Sequence, residues 1–365
     1  MVKIKEMVET LSPILVKPTT SSITFSLSKR FILFNLMNKI VHTIEEDPYL
    51  NFISLLKNYK ILGTFLYGTV HEFYRDRNKS YFKNFFFDKS LYNVIKDDLE
   101  WLAKDHGQLR VTITKRGVII YDNYKTNSFN VLLMTIHAGT WVPEIIDKKL
   151  SINAEFRLVE EDIDTHRIYS NLVLMKGGIW IDNKQSRFVC DFNRGLDKAI
   201  YADNSEEWID VIWKEKLTKR EEHEILSSYH EFYFTLARLA ESYHFNIIFD
   251  GHSMKSIAGR PSISFGTNFI PKFYMPIVIK MQQRLHTLGY SPVLFNTPYM
   301  GGYILEWFSR KFPHLFIFSM EINKKLYMTD DMKKSVDTKI KKIAEDITKI
   351  FDIEIDANGT DKPAI

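Results

Sequence analysis

Cysteine is almost absent from the sequence, since only Cys190 occurs among 365 residues. A single cysteine cannot form an intramolecular disulfide, so disulfide-rich secreted scaffolds are excluded and a reducing, cytoplasmic compartment is favoured. Cys190 ends the apolar segment Phe188-Val189-Cys190. We expect it to be a small buried side chain rather than a reactive thiol.

Long apolar runs and patches of one charge are absent as well. The most hydrophobic early stretch, residues 31–44, is interrupted by polar residues such as Asn35 and Lys39, so it falls short of the ~20 apolar residues that span a bilayer. Residues 1–9 alternate charged and apolar side chains, unlike a secretory signal. With a net charge of +4 and with Lys and Arg spread among acids, neither a membrane nor a nucleic acid is an expected partner.

The composition is that of a globular protein, with 45% hydrophobic and 26% charged residues. A chain of this length is expected to form one large α/β domain plus an appendage. Apolar residues that recur every four positions from Ile32 to Ile44 indicate helices near the N-terminus. For the aromatic segment 81–87, ordinary packing is favoured over a cover for a site or an oligomer contact. We predict an N-terminal, mainly helical, aromatic-rich region at residues 1–105, a main domain at 106–353 and a polar tail at 354–365.

Residues beyond the N-terminal region carry strand and helix patterns in alternation. Residues 109–113 and 118–121 alternate around the turn Lys115-Arg116-Gly117, which predicts a β-hairpin. Amphipathic periodicity predicts helices at about 220–243 and 333–351. Residues 131–136 form a continuous apolar run typical of a buried central strand, and His137 follows it; residues 246–251 and 315–320 are likewise predicted strands, which end at His252 and Glu321.

Open α/β sheets bind ligands in a crevice outside the carboxyl ends of their strands. Polar residues at the ends of separate strands can therefore meet in one crevice. Two histidines and a carboxylate, with a fourth position left open, are a usual ligand set for a hydrolytic zinc ion. His137 and His252 supply the histidines. The acidic cluster Glu160-Glu161-Asp162-Ile163-Asp164 lies between them in the sequence and offers the carboxylate.

Seven short motifs follow one another between residues 129 and 331. They are His137-Ala138-Gly139-Thr140; Asp162 before Arg167-Ile168-Tyr169; Arg187 with Asp191-Phe192-Asn193-Arg194; Asp250-Gly251-His252-Ser253-Met254; Arg260-Pro261 with Gly266-Thr267-Asn268; Asn296 with Gly301-Gly302-Tyr303-Ile304; and Met320-Glu321-Ile322-Asn323 before Leu326-Tyr327-Met328. In composition and order they resemble the motifs of the N-formylglutamate amidohydrolase family. Each motif alone is only moderately specific, but their shared order argues against coincidence.

The resemblance implies a zinc-peptidase-like α/β fold, shared with carboxypeptidases and aspartoacylases, with a mixed, mostly parallel sheet flanked by helices. On this fold the N-terminal region is a mainly helical appendage, and residues 106–353 form the catalytic domain. The resemblance further implies that Zn²⁺ is bound by His137, Asp162 and His252, and that Glu321 is the general base. A salt-bridged structural carboxylate is the alternative for Glu321.

The resemblance also implies roles for several polar residues. Arg187 would stabilise the oxyanion of a tetrahedral intermediate, and Asn193 with Arg194 would hold a substrate carboxylate, for which the planar guanidinium is well suited. Arg260 would add a second contact to an acidic substrate. A surface ion pair is the alternative for Arg187 and for Arg194.

Two departures from the related patterns affect these predictions. Carboxypeptidases carry a carboxylate ligand three residues after the first histidine, where this chain has Thr140. We therefore predict Asp162 as the third ligand, with Glu144, the next acid after His137, as the alternative. Formylglutamate enzymes tend to carry a basic residue shortly after Gly-Gly-Tyr-Ile, whereas Leu305-Glu306-Trp307 follows here, which bears on glutamate specificity more than on hydrolysis.

The sequence thus predicts zinc-dependent hydrolysis of the amide bond of an N-acyl amino acid, with N-formyl-L-glutamate, giving formate and glutamate, as the leading substrate. A carboxypeptidase-like or other acyl-amino-acid hydrolase, and a non-catalytic binding protein on the same fold, are the alternatives. The expected partner is a small N-acyl amino acid or short peptide, and a homo-oligomer is left open.

Overall fold

The computed structural model describes residues 22–27, parts of 91–102, 109–114, 116–203 and 211–352. The chain divides into two compact units, residues 1–121 and 122–365.

Much of the predicted N-terminal region lies outside the described residues. Three predicted features lie outside the described residues: the helical periodicity from Ile32 to Ile44, the aromatic segment 81–87 and the polar tail at 354–365. The domain boundaries therefore remain predictions. Among the described helices, none combines the length and apolar composition needed to cross a membrane.

The first unit contains strands that include the predicted hairpin. Strand β1 (Ser22–Leu27) pairs antiparallel with β2 (Leu109–Thr114), and the helical periodicity gave no indication of β1. Strand β3 (Val118–Asn123) follows a turn in which the Gly117 N–H donates to the Thr114 carbonyl at 3.2 Å. Gly117 has a φ of 85°, a conformation that favours glycine.

The second unit contains a sheet whose described strands lie in the order β5-β4-β6-β9-β7-β8. The pairs β4–β5, β4–β6, β6–β9 and β7–β8 are parallel, and β7–β9 is antiparallel. The predicted mixed, mostly parallel sheet is therefore confirmed. The strands are β4 (Val131–Thr135), β5 (Gly178–Asn183), β6 (Ile247–Met254), β7 (Ile263–Gly266), β8 (Val293–Phe295) and β9 (Ile317–Asn323).

Helices flank this sheet, as predicted. They are α1 (Glu144–Asp147), α2 (Ala154–Glu160), α3 (Thr165–Lys176), α4 (Lys219–Ser242), α5 (Met275–Thr287), α6 (Tyr303–Lys311) and α7 (Asp337–Ile350). Helix α3 packs on β4, β5 and β6, helix α7 packs on α3 and α5, and helix α6 packs on β9. Helix α4 begins at a capping box in which Thr218 and Glu221 satisfy each other's backbone N–H groups.

The core is apolar where the sheet is covered on both faces, as in β4, whose five residues are all buried. Cys190 is also buried, as predicted. Strands β6 and β9 extend further than their apolar runs, because their pairing continues through His252 opposite Glu321 and Met254 opposite Asn323. His252 and Glu321 therefore lie within strands rather than after them.

Candidate metal centre

Three elements of the second unit bring His137, Asp162 and His252 together. His137 lies two residues after β4, His252 lies in the neighbouring parallel strand β6, and Asp162 lies in the short connection between α2 and α3. The N–H of Asp162 donates to the carbonyl of His137 at 2.9 Å, which ties this connection to the end of β4. The three side chains are buried and form a cluster of residues that could hold a metal ion.

The geometry of the cluster fits a shared ion. Asp162 Oδ2 lies 3.8 Å from His137 Nδ1 and 3.0 Å from His252 Nδ1. Ligand atoms about 2.0–2.1 Å from a tetrahedral ion lie about 3.4 Å apart, so the two distances fall on either side of this value. Each histidine presents Nδ1 to Asp162, and one ligand atom from each of the three residues lies within 4.8 Å of the other two.

The opposite nitrogen of each histidine is held by a second carboxylate. His137 Nε2 lies 2.7 Å from Asp191 Oδ1, and His252 Nε2 lies 2.8 Å from Asp250 Oδ2. Asp191 and Asp250 are fully buried. A carboxylate on the outer nitrogen fixes the orientation of a metal-binding imidazole and increases its basicity. Two such pairs directed at one aspartate are therefore a donor set suited to a divalent ion such as zinc.

Electrostatics at the cluster differ from one residue to the next. Burial would raise the pKa of Asp162, but the hydrogen bond and charge of His252 outweigh this effect and lower that pKa to about 2. Burial, with the charge of Arg187, lowers the pKa of His137. For His252, burial is outweighed by Asp250 and Asp162, which together raise the pKa well above its ordinary value. Within the cluster, the pKa values of Asp162 and His137 are thus lowered, whereas that of His252 is raised.

Glu321 lies beside the cluster on β9. It is the register partner of His252 on the adjacent parallel strand, so both side chains leave the same face of the sheet. Glu321 is 8% exposed. Burial raises its pKa to about 8, with further increases from Asp162 and Asp250 that the charge of His252 opposes.

A tyrosine joins the two strands that carry His252 and Glu321. The Tyr169 hydroxyl, from α3, lies 2.9 Å from the carbonyl of His252 and 3.0 Å from that of Met320. A Cβ on Gly251 would lie 2.4 Å from the Tyr169 ring, so the residue before His252 must be glycine.

Asp191 is the centre of a polar network after β5. Its Oδ2 accepts hydrogen bonds from Arg187 Nη2 at 2.8 Å and from the Tyr201 hydroxyl at 2.6 Å, while its Oδ1 accepts the N–H of Asn193 at 2.9 Å. The Arg194 guanidinium lies 4.5 Å from the centre of the Tyr201 ring. Arg187 and Arg194 are thus both held near the carboxylate that orients His137.

Asn193 connects this network to α6. Its Oδ1 accepts the N–H of Ile304 at 3.1 Å, and its Nδ2 lies 3.4 Å from His252 Nε2. A Cβ on Gly302 would lie 2.1 Å from Asn193 Oδ1. The close approach of Asn193 accounts for glycine in the Gly301-Gly302-Tyr303-Ile304 motif.

One cavity of about 330 Å³ contains most of the predicted residues. Its lining includes the three candidate ligands and four of the other predicted residues: His137, Asp162, His252, Arg187, Asn193, Arg194 and Glu321. Exposed apolar side chains, Val159, Tyr299 and Met300, also line it.

Two residues considered from the sequence do not line this cavity. The Arg260 guanidinium lies 5.1 Å from the ring centre of Tyr299, which does line the cavity. Glu144 lies in α1, where its side chain is 74% exposed and pairs with Lys148 at 2.6 Å. Asp162, rather than Glu144, is therefore the carboxylate that lies with the two histidines.

Sequence reasoning assigned no role to Asp191, Asp250, Lys255 or Lys324. Asp250 stands two residues before His252 on the same strand, and the alternation of side chains in a strand could have placed the pair on one face. Asp191 was seen only as part of a motif, and no local signal connects it with His137, which is 54 positions away. Lys255 and Lys324 line the cavity.

Known proteins that are similar to this chain identify its family and its fold. The family model described as N-formylglutamate amidohydrolase matches residues 129–328. An N-formylglutamate amidohydrolase structure from Ralstonia eutropha JMP134 is similar, with 17% identity over 64% of this chain and 95% of that chain, and a TM-score of 0.53. The structure of gene product Atu2144 from Agrobacterium tumefaciens is similar at 18% identity over 64% and 93% of the two chains, with a TM-score of 0.50. No curated protein matches the sequence significantly. At these identities the likeness to the solved structures concerns the fold.

Proposed function

The chain belongs to the N-formylglutamate amidohydrolase family, and on this premise we propose that it hydrolyses the amide bond of an N-acyl amino acid with the help of zinc. The leading substrate is N-formyl-L-glutamate. Water adds its oxygen to the acyl carbon, the carbon–nitrogen bond breaks, and the nitrogen gains a proton. The products are formate and glutamate.

The observation that carries this proposal is the paired arrangement of histidines and acids. The Nδ1 atoms of His137 and His252 face Asp162, while Asp191 and Asp250 hold the outer nitrogens. A zinc ion held by these three residues would supply Lewis acidity toward the scissile carbonyl and toward the attacking water. The remaining chemistry falls to side chains of the chain itself.

Glu321 is the general base in this proposal. Its carboxyl group shares a sheet face with His252 and has a pKa raised to about 8 by burial. A carboxyl group with a pKa near the working pH can accept a proton from water and later return it to the leaving nitrogen. The adjacent salt-bridge partner that a purely structural carboxylate would need is not among the ion pairs of the described residues.

The arginines supply substrate contacts in this proposal. Arg194, stacked on Tyr201, holds the α-carboxylate of the substrate together with Asn193, because a guanidinium can pair with both carboxylate oxygens. Arg187 stabilises the negative oxygen that develops when water attacks. Arg260 packs on Tyr299, and in this proposal it adds a second contact to an acidic substrate at the edge of the cavity that Tyr299 lines.

A substrate panel tests the reaction. The zinc-loaded full chain is assayed with N-formyl, N-acetyl and N-succinyl derivatives of glutamate, glutamine and leucine, and with short peptides. Preference for N-formyl-L-glutamate supports the full proposal, whereas preference for another derivative retains the hydrolase and replaces the substrate. Cleavage of peptide C-termini alone would identify a carboxypeptidase-like enzyme, and no turnover of any compound refutes hydrolysis of small amides.

Metal analysis separates an enzyme from a binding protein on the same fold. About one zinc per chain, removed by a chelator together with activity and restored with it, is the expected result. A protein that folds without metal and binds none contradicts the zinc site.

A further inference from the structure

Lys324 follows β9 directly, three residues after Glu321, and its side chain is buried. The residue is 3% exposed. Its Nζ donates to the carbonyls of Val159 and Glu161 at 2.6 Å each and of Leu158 at 3.4 Å. A buried ammonium group is costly unless it is hydrogen-bonded, and here each of its three N–H groups has a carbonyl acceptor.

The three acceptors belong to the segment that leads into Asp162. Leu158 and Val159 lie in the last turn of α2, and Glu161 is its C-terminal cap. The carbonyls at a helix end have no partner within the helix and attract positive charge. Lys324 therefore satisfies the end of α2 and reaches the residue immediately before Asp162.

The hydrogen bonds of Lys324 also exclude a direct role of this residue in substrate binding. Lys324 lines the cavity, and a lysine in that position could pair with a substrate carboxylate. An ammonium group has three donors and no acceptor, however, and all three donors are used by backbone carbonyls. The ammonium group of Lys324 therefore binds backbone carbonyls of the protein and not a substrate.

Other contacts hold the same segment at different points. The N–H of Asp162 donates to the carbonyl of His137 at 2.9 Å, and the Ser186 hydroxyl donates to Glu161 Oε1 at 2.5 Å. These contacts fix the segment relative to β4 and β5. Lys324 fixes it relative to β9, the strand that carries Glu321.

We propose that Lys324 is a positioning residue for the metal centre, because it holds the Asp162 segment at the distance from His137, His252 and Glu321 that a shared ion requires. This inference rests on the proposed zinc site. It assigns to Lys324 neither substrate binding nor proton transfer.

The positioning role can be separated from the charge of Lys324 by the sign of its effect. A positive charge beside the cavity repels a bound cation, so loss of the charge alone would strengthen zinc binding. Loss of the contacts to the segment would weaken zinc binding, because the Asp162 carboxylate would no longer be held in place. The two effects oppose each other in any variant that removes the ammonium group.

The experiment measures zinc affinity of the metal-free full chain by competition with a chromophoric chelator. Lys324→Met keeps most of the side-chain volume and removes all three donors. We expect zinc affinity to fall by about 10–100-fold, the usual effect of removing an outer contact that orients a metal ligand. Lys255→Met is the control for charge, because it removes a lysine from the same cavity whose ammonium pairs with the side chain of Glu160 and not with the backbone carbonyls at the end of α2. The control is expected to bind zinc as tightly as the wild type or more tightly.

A second variant covers the case in which Lys324→Met does not fold. Lys324→Gln retains a donor group with two N–H atoms and is expected to lose less affinity than the methionine variant, but still several-fold. Circular dichroism of the same samples checks that the variants compared are folded. Unchanged or tighter zinc binding by the folded variants overturns the positioning role. A wild-type chain that binds no zinc overturns the proposed function as well, so the two failures are distinguishable.

Discussion

Glu321→Gln should stabilise the metal-free protein while it disables the enzyme. Glu321 is 8% exposed, and burial raises its pKa from 4.5 to about 8. In the unfolded chain the same carboxyl ionises near 4.5. The wild-type side chain therefore contributes most to stability below this pH, and that contribution is lost as the pH rises toward the folded-state pKa.

Glutamine has nearly the same shape and does not titrate, so the variant avoids this loss. Each pKa unit corresponds to about 1.4 kcal/mol, and pH 7 lies about 2.5 units above the unfolded value. The variant should thus be more stable than the wild type by on the order of 3 kcal/mol at neutral pH, and the difference should disappear near pH 4. Urea unfolding of chelator-treated protein at about pH 5.5 and about pH 7.5 measures the growth of this difference.

Activity should change in the opposite direction to stability. If Glu321 accepts the proton of the attacking water, turnover should fall by about 10²–10⁴-fold with zinc content retained. Glu144→Gln is the matched control, since that side chain is 74% exposed and lies outside the cavity, and it should alter neither turnover nor the pH dependence of stability. Near-normal turnover of Glu321→Gln with zinc bound would refute the assignment of the base. An equal stability difference at both pH values would refute the raised pKa of the buried Glu321 carboxyl group.

Three further results are expected. Asp191→Asn should weaken zinc binding by about 10–100-fold, because an amide no longer provides His137 with an anionic partner; chelator competition measures this, and unchanged affinity would show that the pair is dispensable. Arg194→Lys should raise KM for substrates with an α-carboxylate while kcat changes little, because a point charge replaces a two-pronged contact; a fall in kcat at constant KM would instead assign Arg194 to the chemical step. Zinc affinity should fall as the pH is lowered, because the raised pKa of His252 makes the ion compete with a proton; titrations at several pH values test this, and a flat profile would exclude His252 as a ligand.

The strands that carry the site could be predicted because each begins with several apolar residues. Strand β4 has five buried residues in sequence, and Ile247, Ile248 and Phe249 begin the strand that carries His252, so pattern alone identified both. Strand β5 was missed, because it ends in Asp182 and Asn183, polar residues that are fully buried. There Asp182 pairs with Lys184 and accepts a hydrogen bond from the Thr135 hydroxyl, and the contact with Thr135 depends on a fold already formed.

Site residues could be predicted where their type and order in the sequence identify them. They could not be predicted where their role depends on contacts between distant parts of the sequence. The two histidines and Glu321 stand at recognisable places in the sequence. The partnership of Asp191 with His137 and the attachment of Lys324 to the end of α2 are made across 54 and 163 positions or more. No short window of sequence contains both partners of such a contact, so the outer part of the site required the structure.

The charges of the buried site explain why its two histidines differ although each has one outer carboxylate. Burial, together with the charge of Arg187, which donates to Asp191, lowers the pKa of His137. His252 has Asp250 on one nitrogen and Asp162 on the other, and Arg187 contacts neither acid within hydrogen-bonding distance among the described residues. The two acids outweigh burial and raise the pKa of His252. A divalent cation held beside His252 would compensate both acids and would also lower the pKa of the nearby Glu321, so metal binding and activation of the base would be coupled.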